Sequence, residues 1–138
     1  MSKSKDDREY TSYVTLMILG DDLDPQSVSK ALRMRPTRSW MRGESPKESE
    51  FLYEWGGWKK SLPNTQLSQS LGRQLAFWVR ALHGRTQAIA ELTRSGHLCA
   101  LNCYVGSSGT ASIIVPVELQ QALAAIGLEL RISFWSGS

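Results

Sequence analysis

The feature that most limits how this chain can fold is a leucine stripe too long for the domain that must hold it. Leu67, Leu71, Leu75, Trp78 and Leu82 recur every three to four residues, and Ile89 and Leu92 continue the line. The spacing predicts helix over residues 67–95. Unbroken, that helix would run roughly 43 Å. A globular domain of this length is only about 37 Å across. The helix must therefore bend or break, and His83-Gly84 is where glycine makes the break easy. Ser95-Gly96 supplies the stop.

Strand patterns flank the stripe. Residues 10–20 alternate, with Val14, Leu16 and Ile18 on one side and Tyr13, Thr15 and Met17 on the other. A helix follows from Pro25 to about Arg33, with Val28 and Leu32 on its inner face and Pro36 barring continuation. Within 37–62, "RSWMRGE" and "FLYEWGGWKK" read as two strands of a hairpin-like excursion around the polar "ESPKESE", and Gly56-Gly57 as a bulge or turn. "HLCALNCYVG" is a strand, "SSGT" a turn, and "ASIIV" a short strand or extended lead-in. Pro116 opens a helix whose apolar face is Leu119, Ala122, Leu123 and Ile126, ended by Gly127. In "LELRISFW", Leu128, Leu130, Ile132 and Phe134 point inward, while Glu129, Arg131, Ser133 and Trp135 point outward.

Together these elements predict one α+β domain over 1–138, its ordered core spanning about 9–136. The expected architecture has two layers: a mainly antiparallel sheet of four to six strands with helices on one face, in ferredoxin-like style. "YVTLMILGDDLDPQSVSKAL" and "LNCYVGSSGTASIIVPVELQQAL" both run strand, link and proline-led helix, which suggests a pseudo-duplication.

Composition excludes several classes. At 41% hydrophobic and 21% charged, the chain is an ordinary globule. A net charge of +3 is too small to imply nucleic acid unless the cations gather on one face. No apolar run approaches the roughly 18 residues of a membrane span, and "MSKSKDDREY" has no apolar core of a signal peptide, so the expected location is the cytoplasm. Cys99 and Cys103 lie on one strand about 13 Å apart. A disulfide needs less than about 7 Å. The same spacing keeps both thiolates from one zinc, so two reduced, buried thiols are expected and no metal or other cofactor.

The cluster Asp21-Asp22-Leu23-Asp24 reads as helix punctuation. Asp24 followed by Pro25 satisfies an N-cap and a first-turn proline, and Asp22 sits at the positive end of the helix dipole. A calcium loop would need alternating carboxylates around a glycine with a distant glutamate, which is absent.

"GDDLDPQSVSKAL", "RPTRSWMRGE", the pair Gly57-Trp58 and the leucine-striped helix resemble the uncharacterised bacterial domain-of-unknown-function family 4279 over nearly the whole chain. The marks that carry the resemblance are Asp22, Asp24-Pro25, Ser29, Leu32, Pro36-Thr37, Trp40, Gly43 and Trp58. Members tend to have a glycine soon after that leucine, where this chain has Arg33-Met34-Arg35. The resemblance implies a small bacterial cytoplasmic α+β domain, and no reaction.

Arg33, Arg35, Arg38, Arg42 and Lys47 surround Trp40, and Trp55 and Trp58 follow in the same irregular region. No nucleophile elbow, phosphate-cradling loop or conspicuous serine, histidine and acid set is visible, so an enzyme is disfavoured. The leading expectation is a non-enzymatic module, immunity-like or accessory, that binds another protein through Arg38, Trp40, Arg42, Trp55 and Trp58. One alternative is a small-ligand or nucleotide sensor with a pocket lined by Trp40, Trp55 and Trp58. The other is an enzyme of unknown type. Trp135, Arg131, Tyr13 and Tyr104 on the open sheet face suit docking of a second copy better than RNA, because the strands lack an RNA-binding signature.

Overall fold

The computed structural model describes residues 10–46 and 50–136. The elements are β1 (Thr11–Gly20), α1 (Pro25–Leu32), β2 (Arg38–Trp40), β3 (Gly56–Lys60), a 3-10 turn (Asn64–Gln66), α2 (Leu71–Ala81), α3 (Thr86–Arg94), β4 (Leu98–Ser107), α4 (Val117–Ile126) and β5 (Glu129–Ser136). Among the described residues the strands form one open sheet in the order β2-β3-β1-β4-β5. All neighbours are antiparallel except β4 and β5, which are parallel.

The class is α+β, as the alternation of periods implied. Val14, Leu16, Ile18, Trp58, Leu101 and Val105 face a layer built from Val28, Leu32, Leu75, Trp78, Leu82, Ile89 and Leu123, all buried in one core. β3 lies between β1 and β2 and is antiparallel to both, so β1 and β2 run parallel with one strand between them. The two similar segments each return parallel to their first strand: the chain leaving α1 enters β2, one strand removed from β1, and the chain leaving α4 enters β5, directly beside β4.

α1 begins as its sequence dictates. The Asp24 carboxylate accepts from the Gln26 amide at 3.2 Å and the Ser27 hydroxyl at 2.8 Å, and Pro25 takes the first turn. The helix ends in a left-handed residue, Arg33 at φ 57°, where a glycine would be unstrained. The long stripe breaks at Gly84, whose φ of +85° no continuing helix allows. Its start lies later than the spacing implied. Ser70 caps α2 by accepting from the Arg73 amide, which leaves Leu67 outside the helix and 45% exposed.

β1 is ten residues long, but β3 pairs only with its Leu16–Gly20 half. The remaining edge carries bare carbonyls, and α2 covers them. Trp78 Nε1 donates to the Val14 carbonyl at 2.9 Å and Gln74 Nε2 to the Ser12 carbonyl at 3.0 Å. Donors four apart on a helix thus meet acceptors two apart on a strand. Arg85 joins the helix ends, donating to the Leu32 carbonyl at 2.6 Å and the Ala81 carbonyl at 2.7 Å.

Two local expectations are corrected. Gly56 and Gly57 are not a bulge or turn but lie within β3. Both are pressed by neighbours: a Cβ on Gly56 would lie 2.8 Å from the Leu23 carbonyl oxygen. Of the two readings of "ASIIV", the extended lead-in to α4 is the one that occurs. Ile132 and Phe134 keep the expected parity, yet they are 46% and 54% exposed, because β5 is the last strand and the helix layer does not reach its far half.

Candidate functional site

The cation-and-indole segment folds as a short hairpin whose strands dictate which side chains meet. In the β2–β3 register Arg38 lies opposite Lys59 and Trp40 opposite Gly57, all on the sheet face away from the helices. With no side chain at Gly57, the Trp40 ring settles onto the backbone; a Cβ there would lie 2.1 Å from it. Trp40 Nε1 donates to the Trp55 carbonyl at 3.1 Å. Tyr53 stacks on the other side at 4.9 Å and 23°, and Phe51 meets Tyr53 edge-on at 6.0 Å.

Two cations close on this stack. The Arg38 guanidinium lies 5.0 Å from the Trp40 ring centre and donates to the Tyr53 hydroxyl. Lys59 Nζ lies 5.7 Å from the same ring. Trp40 is consequently only 9% exposed. It is the floor of the site rather than its contact surface.

The connection from Met41 to Trp55 is clasped at its middle. The Gly43 amide donates to the Tyr53 carbonyl and the Tyr53 amide to the Glu44 carbonyl, both at 2.9 Å. Gly43 reaches this turn at φ +91°. On the two sides of the clasp, Met41 (50%), Phe51 (58%), Leu52 (57%) and Trp55 (44%) stand in solvent. Arg42 leans to the start of α1 and pairs with Asp22 at 3.2 Å. Lys47 lies outside the described residues. A shallow recess of about 380 Å³ between Arg38, Trp40, Glu44, Pro46 and Tyr53 completes the flank.

Of the expected binding residues, Arg38, Trp40, Arg42 and Trp55 are thus on one flank, and Trp58 is not. Trp58 occupies the opposite sheet face, is 0% exposed, and donates its indole N–H to Ser29 Oγ at 2.9 Å. It belongs to the core, so the three tryptophans line no common pocket. Sequence reasoning missed Met41, Phe51, Leu52, Tyr53 and Lys59 as surface partners. The β2–β3 register sets Lys59 opposite Arg38, and backbone bonds to Gly43 and Glu44 place Tyr53 and its neighbours; neither is visible before the register is known.

The rest of the uncovered face matches its expected parity. Tyr13 and Tyr104 stack at 4.7 Å and 19°, and Trp135 lies over Gly106, where a Cβ would come within 2.3 Å of the ring. Arg131 is occupied by Glu129 at 3.2 Å. Burial pushes the Cys103 thiol up to about 12 and raises Cys99 as well, against a weaker hydrogen bond from Thr93. Both cysteines are free and buried, and a thiol held protonated by burial is a poor nucleophile. Among the described residues no three His, Cys, Asp or Glu side chains gather as a metal-binding group. No described helix is long and apolar enough to cross a membrane.

Comparison with known proteins gives one family. The model of the family described as "Domain of unknown function (DUF4279)" matches residues 8–137. No curated protein and no solved structure matches the chain.

Proposed function

We propose, from the premise that the chain belongs to the DUF4279 family, that it is a non-enzymatic interaction module, immunity-like or accessory, acting on another protein in the bacterial cytoplasm. The supporting observation is the 41–55 connection. It holds four large apolar side chains, each at least 44% exposed, over a rigid aromatic floor. Apolar groups kept in water on a preorganised base are what a protein interface core needs, while Arg38, Arg42 and Lys59 form a cationic rim. The complementary partner presents an apolar recess bordered by carboxylates.

Charge argues against a polynucleotide. A net charge of +3 over 138 residues is a weak field for a run of successive phosphates. For the sensor alternative, the burial of Trp58 removes one of the three tryptophans from the recess beside Trp40.

The test is affinity capture from native bacterial extract with the wild-type chain, a Phe51→Ser/Trp55→Ser double variant and an Arg38→Glu variant. A protein retained by wild type and lost from both variants supports the proposal. Capture that is equal for all three, or no capture at all, contradicts it. A thermal-shift panel of nucleotides and metabolites addresses the sensor alternative, because a ligand bound only by the native state raises the melting temperature.

A further inference from the structure

The two edges of the sheet are unlike. β2 is three residues long and carries Arg38, so it offers little template for another strand. β5 is eight residues long, contains no lysine or proline, and has all but Leu130 exposed. Its lone cation, Arg131, is tied to Glu129 within the same strand. Apart from that internally paired couple at its start, the strand has no lysine, proline or bulge to protect its edge. Ile132, Phe134 and Trp135 stand 46%, 54% and 46% exposed along it, with Ile114 and Val117 nearby in sequence to α4 at 72% and 61%.

We propose that β5 pairs antiparallel with β5 of a second copy, with Ile132 on the two-fold axis, to make one continuous sheet across the dimer. Closed symmetry requires the strand to be complementary to itself, and opposite residues must share a sheet face, so the axis passes beside a residue. With Arg131 on the axis, two guanidinium groups would face each other, which is unfavourable. With Ile132 on the axis, Ile132 meets its own copy, and Leu130 meets the second copy's Phe134 twice over. On the other face Arg131 meets Ser133, and Glu129 meets Trp135.

The groove beside β5 supplies the receptor for this register. Val115, Leu123, Ala124, Leu128 and Leu130 line an apolar hollow of about 380 Å³ between α4 and the near end of the strand. The strand's far end carries the unburied Phe134. A two-fold through Ile132 brings the phenyl group of each copy beside Leu130 of the other, at the mouth of that hollow. Knob and socket sit at opposite ends of one strand, and only a second copy presents both in reverse order. Strand addition also supplies partners for the backbone groups that the edge leaves unpaired.

The test uses the full chain in sedimentation equilibrium across a concentration series. Wild type should reach twice the 15.4 kDa chain mass. Ile132→Lys and Ile132→Glu should each be monomeric, and an equimolar mixture should restore the dimer, because residue 132 faces itself in this register alone. Circular dichroism checks the fold of each variant. If either fails to fold, Phe134→Ser and concentration-dependent amide protection of residues 129–136 in wild type take its place. A wild type monomeric at every concentration overturns the proposal. So does a dimer that the folded variants leave intact, or one that the charged pair fails to restore.

Discussion

Two tryptophans on the uncovered sheet face, Trp40 and Trp135, each lie on a glycine of the neighbouring strand, and at both places a single methyl group would collide with the ring. Gly57→Ala is therefore expected to destabilise by about 1–3 kcal/mol, through displacement of Trp40 and the stack above it. Gly72 is the contrast. It lies in α2 with open space around its absent side chain, so Gly72→Ala should stabilise by about 0.5–1 kcal/mol. Urea titration of both variants reads the opposite signs directly. The buried thiols add a pH signature. Cys103 stays protonated in the native state up to about pH 12, while the unfolded chain loses that proton from about 9 upward. Between those values the unfolded state binds fewer protons, so stability falls as pH rises. Urea midpoints measured from pH 8.5 to 11 should drop less steeply in Cys103→Ala than in wild type. Two reduced, buried thiols were expected from their spacing on one strand. That Trp40 sits on Gly57 was not, because the sequence shows both residues and not which positions face each other.

At the scale of elements, the helix layer also completes the sheet's hydrogen bonding. Trp78 and Gln74 supply donors along the half of β1 that β3 never reaches. Trp78→Phe keeps most of the apolar volume but leaves the Val14 carbonyl buried without its donor. A loss of about 1–3 kcal/mol is expected, with faster amide exchange in β1 and α2. α1 offers a test of the other sign. Arg33 adopts the left-handed conformation at its C-cap, so Arg33→Gly should raise the urea midpoint, by about 1 kcal/mol of stability. Helix content and the break at Gly84 followed from a 3.6-residue period set against the size of the domain. The first turn of α2 was misplaced because Leu67 fits the stripe, whereas the Ser70 side chain decides where helical hydrogen bonding begins. Ile132 and Phe134 were expected inside for a related reason. Alternation tells which way a side chain points, and strand order tells whether anything covers it.

At the scale of the molecule, the apolar surface is concentrated rather than scattered. Of the large hydrophobic side chains exposed among the described residues, Met41, Phe51, Leu52 and Trp55 belong to the β2–β3 connection and Ile114, Val117, Ile132, Phe134 and Trp135 to the α4–β5 flank, with Tyr13 and Leu67 apart from both. These lie toward opposite edges of a sheet whose order separates β3 from β5 by two strands. One molecule can then hold a copy of itself along β5 and a different protein at the hairpin without the two competing. Arg38, Trp40, Arg42 and Trp55 were legible as one cluster because they are near in sequence. Trp58 was misassigned for the same reason, since the next residue along a strand faces the other way. Protein docking at the hairpin connection is the central proposal. The most direct measurement places a photo-crosslinking amino acid at position 52 in living cells, with position 73 on the exposed side of α2 as control. A discrete protein adduct at 52 that is absent at 73, and lost when Arg38→Glu is added, is the expected result. Equal labelling at both positions, or no adduct at 52, would contradict the account.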